Sequence, residues 1–204
     1  MLSRRWLSSL LVILCLSSIF LASACQRGNT IASLPERLAK KHASLTSYQL
    51  ALQLEQTDGQ QLVITQWYQA PDYLRTDVMQ AGVINYQFFL RGDELTVRHV
   101  PSGQQEQLRL SSENALFTTP LLLELLREAQ TASWQASEER PASYFGEFSW
   151  RDLGGEPKLG SMWLNAQTLL PEAVSLFFGS TKVLQLRFDS ITLNPALEEQ
   201  MFQP

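Results

Sequence analysis

The chain has 204 residues, of which 45% are hydrophobic and 18% charged, with a formal charge of −4. This is a globular composition, too apolar for a disordered chain and long enough for one sizeable core. A mildly acidic chain without a basic run is a poor match for nucleic acid or for polybasic attachment to anionic lipid, and no nucleic-acid partner is expected.

Arg4 and Arg5 precede an uncharged run from Trp6 to Ala24. A basic start, an apolar stretch and small residues before a cleavage point are the parts of an export signal. The Ala22-Ser23-Ala24 triplet directly before Cys25 resembles a bacterial lipobox, in which the cysteine sulfur takes a diacylglycerol. Residues 1–24 then form a lipoprotein signal peptide, Cys25 is the lipidation site, and residues 25–30 are a short tether carrying Gly28. An uncleaved transmembrane anchor is the alternative, since about 19 apolar residues can cross a bilayer. Either way the domain lies outside the cytoplasm, held to the cell membrane or an outer membrane. Loss of Arg4 and Arg5 takes the formal charge from −4 to −6. With Cys15 in the signal and Cys25 acylated, the domain keeps no thiol for a disulfide, a metal or a nucleophile.

Residues 31–204 read as one domain. Ser33 and Pro35 mark the start of a short amphipathic helix from Pro35 to Ala43, with Leu34, Leu38 and His42 along one face. From Tyr48 the period becomes two: Tyr48, Leu50, Leu52 and Leu54 alternate with polar residues, the pattern of a strand with one buried face. Asp58-Gly59 turns into Gln61–Gln69, where Leu62, Ile64 and Tyr68 oppose Val63, Thr65 and Trp67. Further strands cover Tyr73–Val78, Val83–Leu90 (Ile84, Tyr86, Phe88 and Leu90 on one face), Leu95–His99 and the stretch through Leu108 and Leu110.

The one strong helix signal follows, with Thr119 as cap, Pro120 at the first position and a leucine stripe of Leu121, Leu122, Leu125 and Leu126, giving Pro120–Ala129. Such a helix needs cover on more than one side. The strand rhythm then resumes around Trp134, at Tyr144–Trp150, after a Gly-Gly loop at Asp152–Pro157, and through Lys158–Leu164, Glu172–Phe178 and Thr181–Phe188. Asn194 and Pro195 open a last helical turn, and Phe202 anchors the end. About eleven strands in hairpin connection, broken once by a helix, predict a mainly β fold: an open, strongly curved antiparallel half-barrel with helices in or across its concave side.

No catalytic site is expected. His42 and His99 are the only histidines, no Gly-x-Ser-x-Gly elbow occurs, and no carboxylate pair or metal-ligand spacing stands out, so neither metal nor cofactor is implied. Arg91-Gly92-Asp93 reads as a turn. The chemistry left to the chain is apolar. Leu50, Leu52, Tyr86, Phe88, Phe148, Met162, Leu176, Leu184 and Leu186 from the strands, with Leu121, Leu122, Leu125 and Leu126 from the helix, would either fill the concave side as a core or line a ligand cavity under a helical lid.

Trp67 before Pro71, Thr119-Pro120-Leu121-Leu122 before Trp134, Trp163-Leu164-Asn165 before Leu170-Pro171, and Ile191 to Asn194 before Phe202 occur in an order that resembles the LolA-like superfamily of bacterial lipoprotein carriers. The likeness spans residues 31–204. It implies a half-barrel closed by helices whose cavity takes acyl chains, with lipid acyl chains or a lipoprotein as partner. The lipobox makes the chain most similar to membrane-anchored relatives: the acceptor lipoprotein LolB, lipid-handling lipoproteins, and the GerS-like lipoproteins of spore formers, whose fold supports a protein partner of the cell envelope. The proteobacterial carriers have an arginine, tied to lid movement, just before the proline of the first marker. This chain has Ala70 there, which implies a lid held mainly by apolar packing.

Overall fold

The computed structural model describes residues 30–110, 115–151 and 157–204. The signal segment, Cys25 and residues 152–156 of the Gly-Gly loop lie outside the described residues. A single turn of 3-10 helix, Ile31–Ser33, leads into α1 (Leu34–Ala43). Six strands follow: β1 (Ser47–Gln56), β2 (Gln61–Gln69), β3 (Tyr73–Gln80), β4 (Val83–Arg91), β5 (Glu94–His99) and β6 (Gln104–Leu108). Two helices, α2 (Ala115–Thr118) and α3 (Leu121–Ala129), lead to β7 (Ser133–Ala136), β8 (Ser143–Arg151), β9 (Pro157–Asn165), β10 (Pro171–Phe178) and β11 (Thr181–Leu193). A 3-10 turn, Glu199–Phe202, ends the chain.

All eleven strands form one antiparallel sheet in the order β6-β5-β4-β3-β2-β1-β11-β10-β9-β8-β7. Hairpins build each half, and the first strand pairs with the last, so the two halves meet at β1–β11 in the middle. The sheet is open, with β6 and β7 as its edges. The segment joining those edges is the helical one, which therefore has to cross the concave side. Bulges at Ala51/Leu52, Val78/Met79 and Leu176/Phe177 add bend to the strands around it.

The alternation in the sequence becomes two faces. Leu54 pairs with Leu62 and Leu186, and the row continues through Val174, Met162 and Gly146 to Trp134. This is the concave face, and with α1 and α3 it makes the core. Two glycines make room for rings on it: a Cβ on Gly146 would stand 2.6 Å from the Trp134 ring, and one on Gly160 would run into the ring of Phe148. Each ring lies over the glycine opposite it on the neighbouring strand.

The structure corrects two expectations at element ends and adds one short helix. Helix α3 starts at Leu121, and neither Thr119 nor Pro120 gives it a side-chain cap. The four-residue α2 was not foreseen; it places Phe117 in a stack on Phe88, with ring centroids 5.0 Å apart. Asn194 begins no helix. Its backbone has a φ of 50°, and its Oδ1 accepts the Thr46 and Ser47 N–H groups at 2.9 and 3.3 Å, clamping the end of β11 to the start of β1. Phe202 does anchor the terminus, but on the outer face, buried against Tyr73.

That outer face carries a cluster the sequence reading did not find. Arg75 and Asp77 on β3 form a two-armed ion pair at 2.8 Å in each arm, and Gln87 donates to Asp77 at 3.2 Å. The Arg75 guanidinium lies 5.0 Å from the Trp67 ring and 5.4 Å from that of Phe89, and it also donates to the carbonyl of Met201. The closing 3-10 turn thus roofs β3 and β4, burying Phe89 on the side where alternation alone predicts solvent.

Candidate functional site

Strand register puts Leu50, Leu52, Tyr86, Phe88, Phe148, Met162, Leu176, Leu184 and Leu186 on the concave face. Of these, Leu50, Leu52, Phe148, Met162 and Leu186 are buried, with Leu122, Leu125 and Leu126 of α3 packed into the same cluster. Phe88, Leu121, Leu176 and Leu184 are partly buried at its margin. These twelve residues are one body of packed side chains in this state. Tyr86 stands apart at 44% exposed, because the cover given by Phe117 reaches only as far as Phe88. Its ring lies 5.1 Å from that of His99, in an open pocket of about 330 Å³ shared with Val97, Gln104, Glu106 and Leu108. His99 hydrogen-bonds Ser102 at 2.8 Å.

The attachment of α3 to the sheet is partly polar. Leu62, Ile64, Gln66 and Tyr68 share the concave phase of β2, and Gln66 is 1% exposed. Its amide meets four partners. Nε2 donates to Thr76 Oγ1 at 3.0 Å and to the Thr119 carbonyl at 3.1 Å, while Oε1 accepts from the Leu121 N–H at 3.0 Å and from the Tyr48 hydroxyl. Two donors and two acceptor sites are thereby filled, the full capacity of a primary amide. One of the free N–H groups at the start of α3 is met by a side chain of the sheet instead of a local cap. The phenol of Tyr48 is fully buried, and burial holds its pKa well above the ordinary tyrosine value, so it stays a donor at neutral pH. The other end of α3 is held by Trp134, whose Nε1 donates to the Ala129 carbonyl at 2.9 Å.

Helix α3 is therefore latched at both ends and packed by leucines between them. Beside the apolar packing expected of a chain with Ala70 there is also a polar latch, built from Tyr48, Gln66 and Thr76. The signal was in the sequence, as a glutamine in the apolar phase of an otherwise regular strand. A buried amide is tolerated there only because all its partners are present.

No protein-family model matches the sequence, and no curated protein matches it. Solved structures do. An uncharacterized conserved protein from Thermus thermophilus is similar over 86% of this chain and 94% of its own, at 9% identity and a TM-score of 0.55. Other matches include the MucA/MucB complex of Pseudomonas aeruginosa (16% identity, 83% of this chain and 59% of that one, TM-score 0.47). A LolA superfamily protein from Nitrosomonas europaea also matches (13%, 86% and 98%, TM-score 0.40). The likeness to the Thermus protein is one of fold alone.

Proposed function

We propose that this chain is an extracytoplasmic lipoprotein, anchored to a membrane through Cys25, that takes acyl chains or a lipoprotein against the concave face of its half-barrel as a carrier or acceptor. The observation that carries this reading is the way α3 is held. Its leucine stripe covers the apolar floor of Leu50, Leu52, Met162 and Leu186, and a few definable hydrogen bonds at its two ends keep it in place. Release of those bonds would uncover a continuous apolar surface of the kind an acyl chain requires. The helix then acts as a lid, and the packed state is the empty one. Lids come from elements that can open without unfolding the rest, and α3 joins the two free edges of the sheet and so can move without breaking any strand pairing.

A second reading has the half-barrel as a non-catalytic scaffold for a protein partner in the cell envelope, as in the GerS-like lipoproteins. Its support is the packed interior itself, which needs no ligand to be complete. One experiment separates the readings and a second tests the anchor they share. Native mass spectrometry of the chain carrying Cys25→Ser is expected to show co-purified acyl lipid, and spectra free of lipid both as purified and after soaking with fatty acid would leave the scaffold. Cys25→Ala is expected to leave an uncleaved precursor and abolish labelling by a fatty-acid probe; equal labelling of wild type and variant would remove the anchor.

A further inference from the structure

The first helix carries three cations, Arg37, Lys40 and Lys41, and none of them forms an ion pair among the described residues; Lys40 is exposed. At 100° per residue, Lys41 lies within roughly 20° of the buried Leu34 and Arg37 roughly 60° from it on the same side, so both flank the packed stripe instead of opposing it. Both side chains are half-buried. Nη1 of Arg37 is shut off from solvent and has no hydrogen-bond partner among the described residues. Arg75, Arg91, Arg127 and Arg140 each have a carboxylate within reach, whereas neither Arg37 nor Lys41 forms an ion pair among the described residues. Burial also lowers the pKa of Lys41, with no acid beside it among the described residues to restore the charged form.

Two like charges one helical turn apart repel, and a buried guanidinium N–H without an acceptor is unfavourable. The same pair becomes favourable around an anion, because a guanidinium binds phosphate or carboxylate through paired N–H groups and an ammonium adds a point charge beside it. Position matters as much as charge. Helix α1 packs against α3, and the turn before it adjoins β7, so the helix that carries the pair lies beside the one that covers the concave face.

We propose that Arg37 and Lys41 form an anion subsite that receives the charged head, a phosphate or a carboxylate, of an amphiphile whose chain lies under α3. The subsite rests on the acyl-binding reading above and narrows it to anionic amphiphiles.

The test uses the full chain in nonionic micelles, with calorimetry referenced to protein-free micelles. Octyl phosphate, octanoate and octanol share one chain and differ in the head. The wild type should bind at least one of the two charged probes about tenfold or more tighter than octanol, the scale of a charge-assisted hydrogen bond. Arg37→Gln should bring that probe to the affinity of octanol, Arg37→Lys should keep part of the preference, and octanol binding should not change. Which charged probe is preferred, and whether inorganic phosphate alone raises the melting temperature, separates a lipid head from a free anion. Without ligand, Arg37→Gln should melt at the same temperature or higher, because it removes an unmatched charge; a fall of several degrees would make Arg37 a structural residue and overturn the subsite. Equal binding of all three octyl probes by wild type and variant would overturn the subsite and leave the acyl reading intact. If no octyl probe binds but inorganic phosphate stabilises the wild type and not Arg37→Gln, the acyl reading and the amphiphile subsite both fail, and the pair binds a free anion only. If neither the octyl probes nor phosphate binds, the subsite is overturned.

Discussion

Gln66→Leu is expected to destabilise the domain by about 3–5 kcal/mol, more than a surface glutamine in a strand could explain. The substitution keeps the volume roughly constant and adds apolar surface, so a site needing only filler would tolerate it or gain. Here it removes partners from the Leu121 N–H, the Thr119 carbonyl, the Thr76 hydroxyl and the Tyr48 hydroxyl, all in or near the core. The cost comes from groups left dry and unpaired, each worth about 1–3 kcal/mol when orphaned. A double-mutant cycle with Tyr48→Phe should show coupling of about 0.5–3 kcal/mol, because the first substitution already breaks the bond the second removes. Chemical denaturation measures both. A loss below about 1 kcal/mol for Gln66→Leu would mean that the amide is not the anchor of α3.

Leu122→Ala is expected to cost about 2–5 kcal/mol, the range for a fully buried leucine whose neighbours cannot collapse into the space. Leu122 is fully buried in the core cluster shared by α1, α3 and the concave face, so the cavity it leaves is walled by other packing. The same variant separates the two readings of the helix. With α3 as a lid, weakening its middle raises the open population, and uptake of a fluorescent fatty acid should become faster even under conditions where the variant is fully folded. With α3 as plain core, uptake under those conditions should match the wild type.

Much of this arrangement could be read from the sequence because period two leaves so little freedom. Once Leu50 and Leu52 face inward, antiparallel pairing carries the inward face through Ile64, Val78 and Phe88 on one side and through Leu186, Val174 and Met162 on the other. The helix was equally plain from its leucines and Pro120. What escaped was whatever breaks the two-faced rule. Gln66 is polar in an apolar phase, and its meaning depends on where a helix some fifty residues later begins. Arg75, Asp77 and Phe89 lie on the face that alternation gives to solvent, and they are covered because the last residues fold back over β3 and β4. Asn194 looked like a cap because Asn-Pro is cap chemistry, yet its side chain is spent on Thr46 and Ser47, far away in sequence. Arg37 and Lys41 carry no signal in the sequence that separates them from ordinary surface cations, and only their burial without partners among the described residues sets them apart.

Ligand binding at the concave face is tested most directly by a photoreactive fatty acid. A diazirine near the chain end, activated after equilibration with the full chain, should label Leu50, Leu52, Met162, Leu186 or the inner face of α3, and excess unlabelled fatty acid should suppress that labelling. Labelling confined to the surface around Phe145 and Trp163, or labelling that excess ligand does not reduce, would contradict it.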